Sequence, residues 1–166
     1  TIRDNILRMK DVSEVMVDLA YSALFLREKG LAKEVAELYG EMNKLEDQTL
    51  RLLFRVRGIE EERLTIINLI DHIKEISQSA LHIAELTKIR TIPSVISDLL
   101  KESGRRVIAE TITKSSPFAH KSVGDAEIHV RTTAHPLAIR RQGKWIVEVE
   151  EDTTLLPGDL VICIGR

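Results

Sequence analysis

The sequence predicts an α+β fold in two parts, an N-terminal antiparallel bundle of three to four helices and a small C-terminal α/β domain. Through about residue 90, apolar residues recur every three or four positions, which is the spacing of one helix face. From Val107 onward they form short runs separated by proline and glycine, a pattern typical of strands and turns. We therefore expect a helical bundle over 1–90, a short helix and linker over 91–106, and a second domain over 107–166.

Three apolar stripes predict the three long helices. We expect turns at Lys29-Gly30 and at Gly58, because glycine readily adopts the left-handed conformation that closes a helix. Small residues line the first and third stripes, so those two helices should approach closely. The stripes are Ile2, Ile6, Met9, Ser13, Met16, Ala20 and Ala23, then Leu31, Val35, Leu38, Met42, Leu45, Thr49, Leu52 and Val56, then Ile66, Ile70, Ile73, Ser77, Ala80 and Ala84.

Proline and glycine residues mark the ends of the remaining predicted helices and strands. Pro93 opens a short fourth amphipathic helix, and Ser103-Gly104-Arg105-Arg106 ends it at the domain boundary. Apolar runs at 107–113, 136–141, 145–149 and 160–164 predict strands, with Gln142-Gly143 as a hairpin turn. A domain of about 60 residues has a marginal core, so we expect it to form a homodimer.

Composition and charge exclude several classes of protein. The net charge is −2 and no basic cluster occurs, so we expect no nucleic-acid binding. No stretch approaches the roughly 18 apolar residues of a membrane span, and no signal peptide pattern begins the sequence, so we expect a cytoplasmic protein. Cys163, the only cysteine, lies in an apolar run and is expected to be unreactive. Hydrolase and Walker-type phosphate-loop motifs are absent, so we expect no enzyme.

The C-terminal part carries a family resemblance. The spaced elements are Ala138-Ile139-Arg140-Arg141-x-Gly143, then Asp152-Thr153-x-Leu155-x-Pro157-Gly158-Asp159, then a strand that ends at Ile164-Gly165. Together they resemble the RCK C-terminal (TrkA-C) domain over 107–166. Residues 115–123 are similar to the family's serine and Gly-Lys-Ser segment, with His120 where the glycine is usual. The helical part resembles a PhoU-type bundle half.

The resemblance implies a regulatory role. TrkA-C domains dimerise, and in several potassium transport systems they bind a small ligand near the dimer interface, either a nucleotide-type second messenger or a cation. The chain has no Gly-x-Gly-x-x-Gly motif and no room for a dinucleotide-binding domain, so NAD or ATP sensing of the usual RCK type is not expected. The expected ligand is a small anion, such as a cyclic dinucleotide or another nucleotide, or a divalent cation.

Arg140 and Arg141 are the main candidates for binding an anion, because guanidinium groups form paired hydrogen bonds with phosphate and carboxylate. Strand alternation favours another interpretation, in which one arginine faces solvent and the other pairs with Asp152 or Asp159. Lys121, Ser122 and Ser115 are further candidates, each with a structural alternative.

Two further features have structural and functional interpretations. Asp159 is expected to bond the local backbone of its turn, and Trp145 to be a packing anchor. Carboxylates one turn apart, Glu37 with Glu41 and Asp71 with Glu75, could bind metal, although a solvated charged face is the favoured interpretation.

These observations lead to two functional hypotheses. The first is a ligand-sensing accessory protein of potassium or other cation transport, which acts through a dimeric TrkA-C domain on a membrane channel or transporter subunit. The alternative is a PhoU-like, metal-binding regulator of phosphate uptake or signalling. Neither hypothesis requires catalysis by this chain.

Overall fold

The computed structural model describes residues 1–58, 60–91, 93–102, 104, 106–128 and 133–165. Three long helices are followed by a short one and a small sheet, so the predicted α+β fold is confirmed. The elements are α1 (Ile2–Leu26), α2 (Lys29–Arg55), α3 (Glu60–Glu85), a 3-10 turn (Leu86–Lys88), α4 (Ser94–Glu102), β1 (Arg106–Thr111), α5 (Val123–Ala126), β2 (His135–Arg141), β3 (Lys144–Ile146) and β4 (Leu160–Gly165). At the expected boundary, Ser103 and Arg105 lie outside the described residues.

The turn between α1 and α2 comes earlier than the glycine signal predicted. The first helix ends at Leu26, and Arg27 takes the left-handed conformation with φ 53°. Glu28 then caps α2, because its carboxylate accepts the backbone N–H of Gly30 at 3.1 Å. The prediction of a turn at Lys29-Gly30 is therefore wrong, and Gly30 lies inside the first turn of α2.

The helical seams are largely as predicted. Met9, Met16, Ala20 and Ala23 of α1 are buried, as are Ile70, Ile73, Ser77, Ala80 and Ala84 of α3. In α2 the seam moves by one position after Thr49, so that Leu53 is fully buried while Leu52 and Val56 are exposed. A straight helix drifts against a strict seven-residue repeat, and the predicted heptad therefore failed in its final turns.

The C-terminal sheet is antiparallel with the strand order β1-β4-β2-β3. Gln142 and Gly143 both have positive φ, at 49° and 79°, which confirms the predicted two-residue hairpin turn. The strand β3 is shorter than the apolar run at 145–149 suggested, since it ends at Ile146.

Both faces of this sheet are covered. Ala138 and Ile162 belong to the hydrophobic core of the three long helices. Ile139 and Val161, one position away on the same strands, belong to a second core with Leu155. Because strand side chains alternate between faces, one face of the sheet packs on the helices and the other is closed by residues 112–128 and 155.

Candidate anion-binding arginines and the contact between the two parts

Arg140 and Arg141 end β2 and lie on opposite faces of the sheet. Ala138 belongs to the core shared with the helices, whereas Ile139 belongs to the second core. By the alternation of the strand, Arg140 is on the helix side and Arg141 on the far side. The two guanidinium groups therefore meet different carboxylates.

Arg141 is held by a buried aspartate. Its Nε and Nη2 donate to the two carboxylate oxygens of Asp159 at 2.8 and 2.7 Å, and Nη2 also donates to the carbonyl of Thr154 at 2.7 Å. Asp159 is 1% exposed and accepts the Leu156 N–H as well, at 2.8 Å. The structural ion pair that strand alternation favoured is thus present, with Asp159 and not Asp152.

The charge state of Asp159 follows from this geometry. Burial alone would raise the pKa of this carboxyl, but the hydrogen bonds from Arg141 and from the Leu156 N–H outweigh it and hold the pKa below its usual value. Leaving such a charge buried without its partner costs about 3–5 kcal/mol. A ligand that recruited Arg141 would have to overcome that cost.

Arg140 is held far more loosely. Its Nη1 donates to Oε2 of Glu28 at 3.3 Å, and the side chains of the two residues are 40% and 30% exposed. Its guanidinium carbon lies 5.5 Å from the ring centroid of Trp145. A partly exposed ion pair with one long hydrogen bond contributes about 1 kcal/mol or less, so an external anion would recruit Arg140 at a lower cost than Arg141.

Trp145 lies directly against the start of α2. A Cβ built on Gly30 would lie 2.5 Å from the indole Nε1 of Trp145 and 3.2 Å from Oε1 of Glu28. Only a residue without a side chain leaves room for the ring. The expectation that Trp145 is a packing anchor is consistent with this contact, and its partner is the helical part.

A second polar contact joins the two parts farther along α2. Arg8 of α1 donates to Glu41 of α2, with Nε–Oε1 at 2.9 Å, and to both carboxylate oxygens of Glu148 beyond β3, with Nη2–Oε2 at 3.0 Å. The hydrogen bonds that Arg8 donates to Glu148, and to a lesser degree the one that it donates to Glu41, raise the pKa of Arg8. The sheet is therefore attached to the helices at two separate levels.

The segment at 115–122 approaches Arg141 through its last residue, Ser122. Ser122 forms an isolated bridge with Thr154, whose carbonyl accepts from Arg141, and its hydroxyl caps α5 by accepting the Asp125 N–H at 3.0 Å. Lys121 is exposed, and the hydroxyl of Ser115 lies 3.2 Å from that of Thr113. His120 adopts φ 64°, a conformation that favours glycine, at the position where the resemblance has one.

The four carboxylates proposed for metal are not assembled into a site. Glu41 pairs with Arg8, Glu37 lies 3.7 Å from Lys33, and Glu75 lies 3.2 Å from the ring of His72. Asp71 is exposed. In the part of the chain that the structure describes, no group of three or more His, Cys, Asp or Glu side chains could hold a metal ion.

A cavity of about 540 Å³ lies under α4, between the end of α1 and the sheet. Its lining is apolar, including Phe25, Leu99 and Ile164, and the hydroxyl of Ser22 is already bonded to the carbonyl of Asp18 at 2.7 Å. An anion would find few hydrogen-bond donors in this cavity, so its lining does not favour an anion.

The comparison with family models decides what the two parts are. Residues 6–87 match the PhoU domain, and residues 107–166 match the TrkA-C domain. The chain joins a PhoU domain to a TrkA-C domain. Both are domains of regulatory proteins, which supports a general regulatory role for this chain. Among the described residues, no helix combines the length and apolar character needed to cross a membrane.

Solved structures also resemble the chain. The RCK_C domain dimer of S. agalactiae BusR in complex with c-di-AMP is 25% identical, over 36% of this chain and 79% of that one, with a TM-score of 0.34. The RCK C domain of the potassium transport protein KtrA, in complex with c-di-AMP, is also 25% identical, over 44% and 84%, with a TM-score of 0.36.

One similar structure spans nearly the whole chain. S. agalactiae BusR in complex with its busAB promoter DNA is 17% identical over 93% of this chain and 90% of that one, with a TM-score of 0.34. Our expectation that the present chain binds no nucleic acid stays a prediction. A search of curated proteins found no significant relative.

The sequence indicated Arg140 as a candidate but not the residues that it contacts, Glu28 and the ring of Trp145. Glu28 is 112 positions away, and an acidic residue before a helix normally indicates only a cap. Gly30 was wrongly interpreted as a helix end, because a glycine at this position makes room for Trp145. The only local hint was a glycine located within the first turn of a strongly periodic helix.

Proposed function

We propose that this chain is a ligand-sensing regulatory protein of potassium or other cation transport. In this proposal a dimeric TrkA-C domain binds a small anion, and the PhoU helices pass the change to a membrane channel or transporter subunit at its cytoplasmic side. The observation that carries the proposal is the shared core. Ala138 and Ile162 of the sheet are fully buried among the long helices, so a displacement of the sheet alters the packing of the bundle.

The charge distribution supports an anion as the ligand. Arg140 is partly exposed and loosely paired, while Lys121 is exposed on the same domain. Arg141 stays with Asp159 and shapes the turn before β4. We assign direct ligand contact to Arg140, with Lys121, Ser122 and Ser115 as further candidates if the ligand reaches the segment at 115–122.

The homodimer is part of the same proposal. The edge strand β1 pairs only with β4 among the described residues, and its Ile108 is 47% exposed. An open strand edge with exposed apolar residues favours association with another chain. Sedimentation of the full chain at micromolar concentration is expected to give a dimer, and a monomer would contradict this part.

Ligand binding is tested by thermal unfolding with c-di-AMP, ATP and divalent cations as probes. A ligand present at 100 times its Kd stabilises the folded state by about 2.7 kcal/mol, which should raise the melting temperature by about 5–10 °C. Arg140→Ala should abolish the shift, whereas Arg51→Ala, on an exposed turn of α2, should retain it. Stabilisation by divalent cations alone, lost in Asp71→Asn, would favour the phosphate-related alternative.

The link to cation transport requires a test in cells. We expect deletion of the gene in its host to change the uptake of rubidium, a tracer for potassium, and wild-type protein but not Arg140→Ala to restore it. Phosphate uptake measured in the same cells is the control. Altered phosphate uptake with unchanged rubidium uptake would refute the potassium assignment.

A further inference from the structure

The interaction between Glu28 and Arg140 has the chemistry of a ligand contact. A carboxylate oxygen from the PhoU domain lies 3.3 Å from a guanidinium nitrogen of the TrkA-C domain. Among the described residues, this is the one side-chain hydrogen bond of Arg140, so most of its donors are unused. A carboxylate and a phosphate present similar oxygens to such a donor group.

We propose that Glu28 is an internal occupant of the anion site at Arg140, and that an oxyanion ligand displaces it. This inference rests on the proposed function, which it deepens by naming the competing group. In the unliganded protein Glu28 holds Arg140 against α2. When a phosphate oxygen takes its place, the guanidinium leaves the carboxylate and one of the two polar attachments between the domains is released.

Release of Arg140 reaches Trp145. The guanidinium lies over the indole ring, and the ring fits against Gly30 with no space to spare. A new position for Arg140 removes the contact on one face of the ring, and Trp145 is then free to leave the start of α2. Glu28 itself stays on the helix, because its other oxygen accepts the Gly30 N–H.

The contrast with Arg141 explains why one arginine serves as the switch. Arg141 makes two short bonds to a carboxylate that is 1% exposed, while Arg140 makes one longer bond to a half-buried carboxylate. Adjacent residues on opposite faces of β2 thus have opposite tasks, one to hold the turn before β4 and the other to exchange partners.

Trp145 is the only tryptophan, so its fluorescence reports on this contact directly. The test uses the full chain as wild type and as Glu28→Gln, which keeps an oxygen for the Gly30 N–H but removes the charge. The control is Glu14→Gln, which removes the same charge from an exposed pair with Lys10 at 3.0 Å on α1. Probes are c-di-AMP and inorganic pyrophosphate, and acrylamide quenching measures the exposure of Trp145.

We expect Glu28→Gln to bind the probe about two- to fivefold more tightly than wild type, the range that loss of a partly exposed competing pair allows. Without probe, its Trp145 should already be quenched more readily, near the level that wild type reaches with probe. Glu14→Gln should match wild type in both measurements. Equal affinity and equal quenching for Glu28→Gln and Glu14→Gln would overturn the inference.

Failure of the inference and failure of the proposed function look different. If wild type binds a probe and Arg140→Ala binds it equally well, the anion site lies elsewhere. The inference and the assignment of ligand contact to Arg140 are then overturned, whereas ligand sensing by the chain is not. If neither wild type nor Glu28→Gln binds any anionic probe, the proposed function loses its ligand, and the inference is overturned with it.

Discussion

Replacing Gly30 by alanine should separate the PhoU and TrkA-C domains at one defined point. Alanine is a better helix former than glycine, so this change would stabilise an isolated helix. In this protein the new Cβ would lie 2.5 Å from the indole Nε1 of Trp145, closer than any unstrained contact. The ring must move, and with it the contact to the Arg140 guanidinium.

A matched control in the same helix sets the magnitude. A Cβ on Gly40 meets nothing within 4 Å, so Gly40→Ala should raise the free energy of unfolding by about 0.5–1 kcal/mol. Overpacking usually costs about 1–3 kcal/mol, which exceeds the helical gain at Gly30. We therefore expect Gly30→Ala to lower the free energy of unfolding by about 1 kcal/mol. The free energies of unfolding of Gly30→Ala and Gly40→Ala should then differ by about 2 kcal/mol.

Urea denaturation followed by circular dichroism and by Trp145 fluorescence measures both variants. In a Trp145→Ala background the penalty of Gly30→Ala should vanish, because the clashing atom is gone. If Gly30→Ala and Gly40→Ala stabilise the wild-type chain equally, the close approach of Trp145 to α2 does not exist and the reasoning is wrong.

Three further predictions concern stability and reactivity. Asp159→Asn should destabilise the protein by about 3 kcal/mol at neutral pH. Because the pKa of Asp159 is lowered in the folded state, its contribution to stability is complete above the ordinary value of 3.8 and is lost as the pH falls through the folded pKa. In acid, the difference in stability between Asp159→Asn and wild type should therefore disappear. A difference that does not change with pH would argue against the ion pair. Burial raises the pKa of Cys163 to about 11. Alkylation of this thiol by iodoacetamide at pH 8 should therefore be about a hundredfold slower than that of a thiol of pKa 9.0, and unfolding in guanidinium should restore the ordinary rate. Rapid alkylation of the native protein would show the thiol to be accessible. Because the helices and the sheet share a core, circular dichroism and Trp145 fluorescence should give coincident unfolding curves, and two separated transitions would rule out that coupling.

Local features of the fold were predictable from the sequence. The helical seams follow from a spacing that each stripe keeps over six or more apolar or small residues. The turn at Gln142-Gly143 follows from a glycine, which tolerates positive φ, between two apolar runs. The end of α1 was not predictable in this way, because Arg27 takes the left-handed conformation without a glycine. In that conformation the backbone N–H groups of Arg27 and Glu28 donate to the carbonyls of Leu24 and Ala23, at 3.4 and 2.9 Å, and close the helix.

The candidate site was predictable only in part. Alternation along β2 indicated that its two arginines differ, and an ion pair with a nearby aspartate followed from the chain order. The meeting of Arg140 with Glu28 depends on how the sheet packs against the helices, which no local pattern encodes. For the same reason Glu41 could be proposed as a metal ligand, while its partner Arg8 could not be foreseen.

The two polar contacts between the sheet and the helices lie at different positions along α2, so a tilt of the sheet would tilt this helix. The sheet is bound near Glu28 and again, through Arg8, at Glu41, while α2 continues for 14 more residues to Arg55. At 1.5 Å per residue this segment is about 21 Å long, so a tilt of about 10° at the sheet would move its end by about 4 Å. Because Thr49 and Leu53 are buried and Glu46 pairs with Lys74 of α3, the neighbouring helix would move with it. Such a displacement is about two-thirds of the pitch of one helical turn, whereas atoms next to the sheet would move only a fraction of that distance.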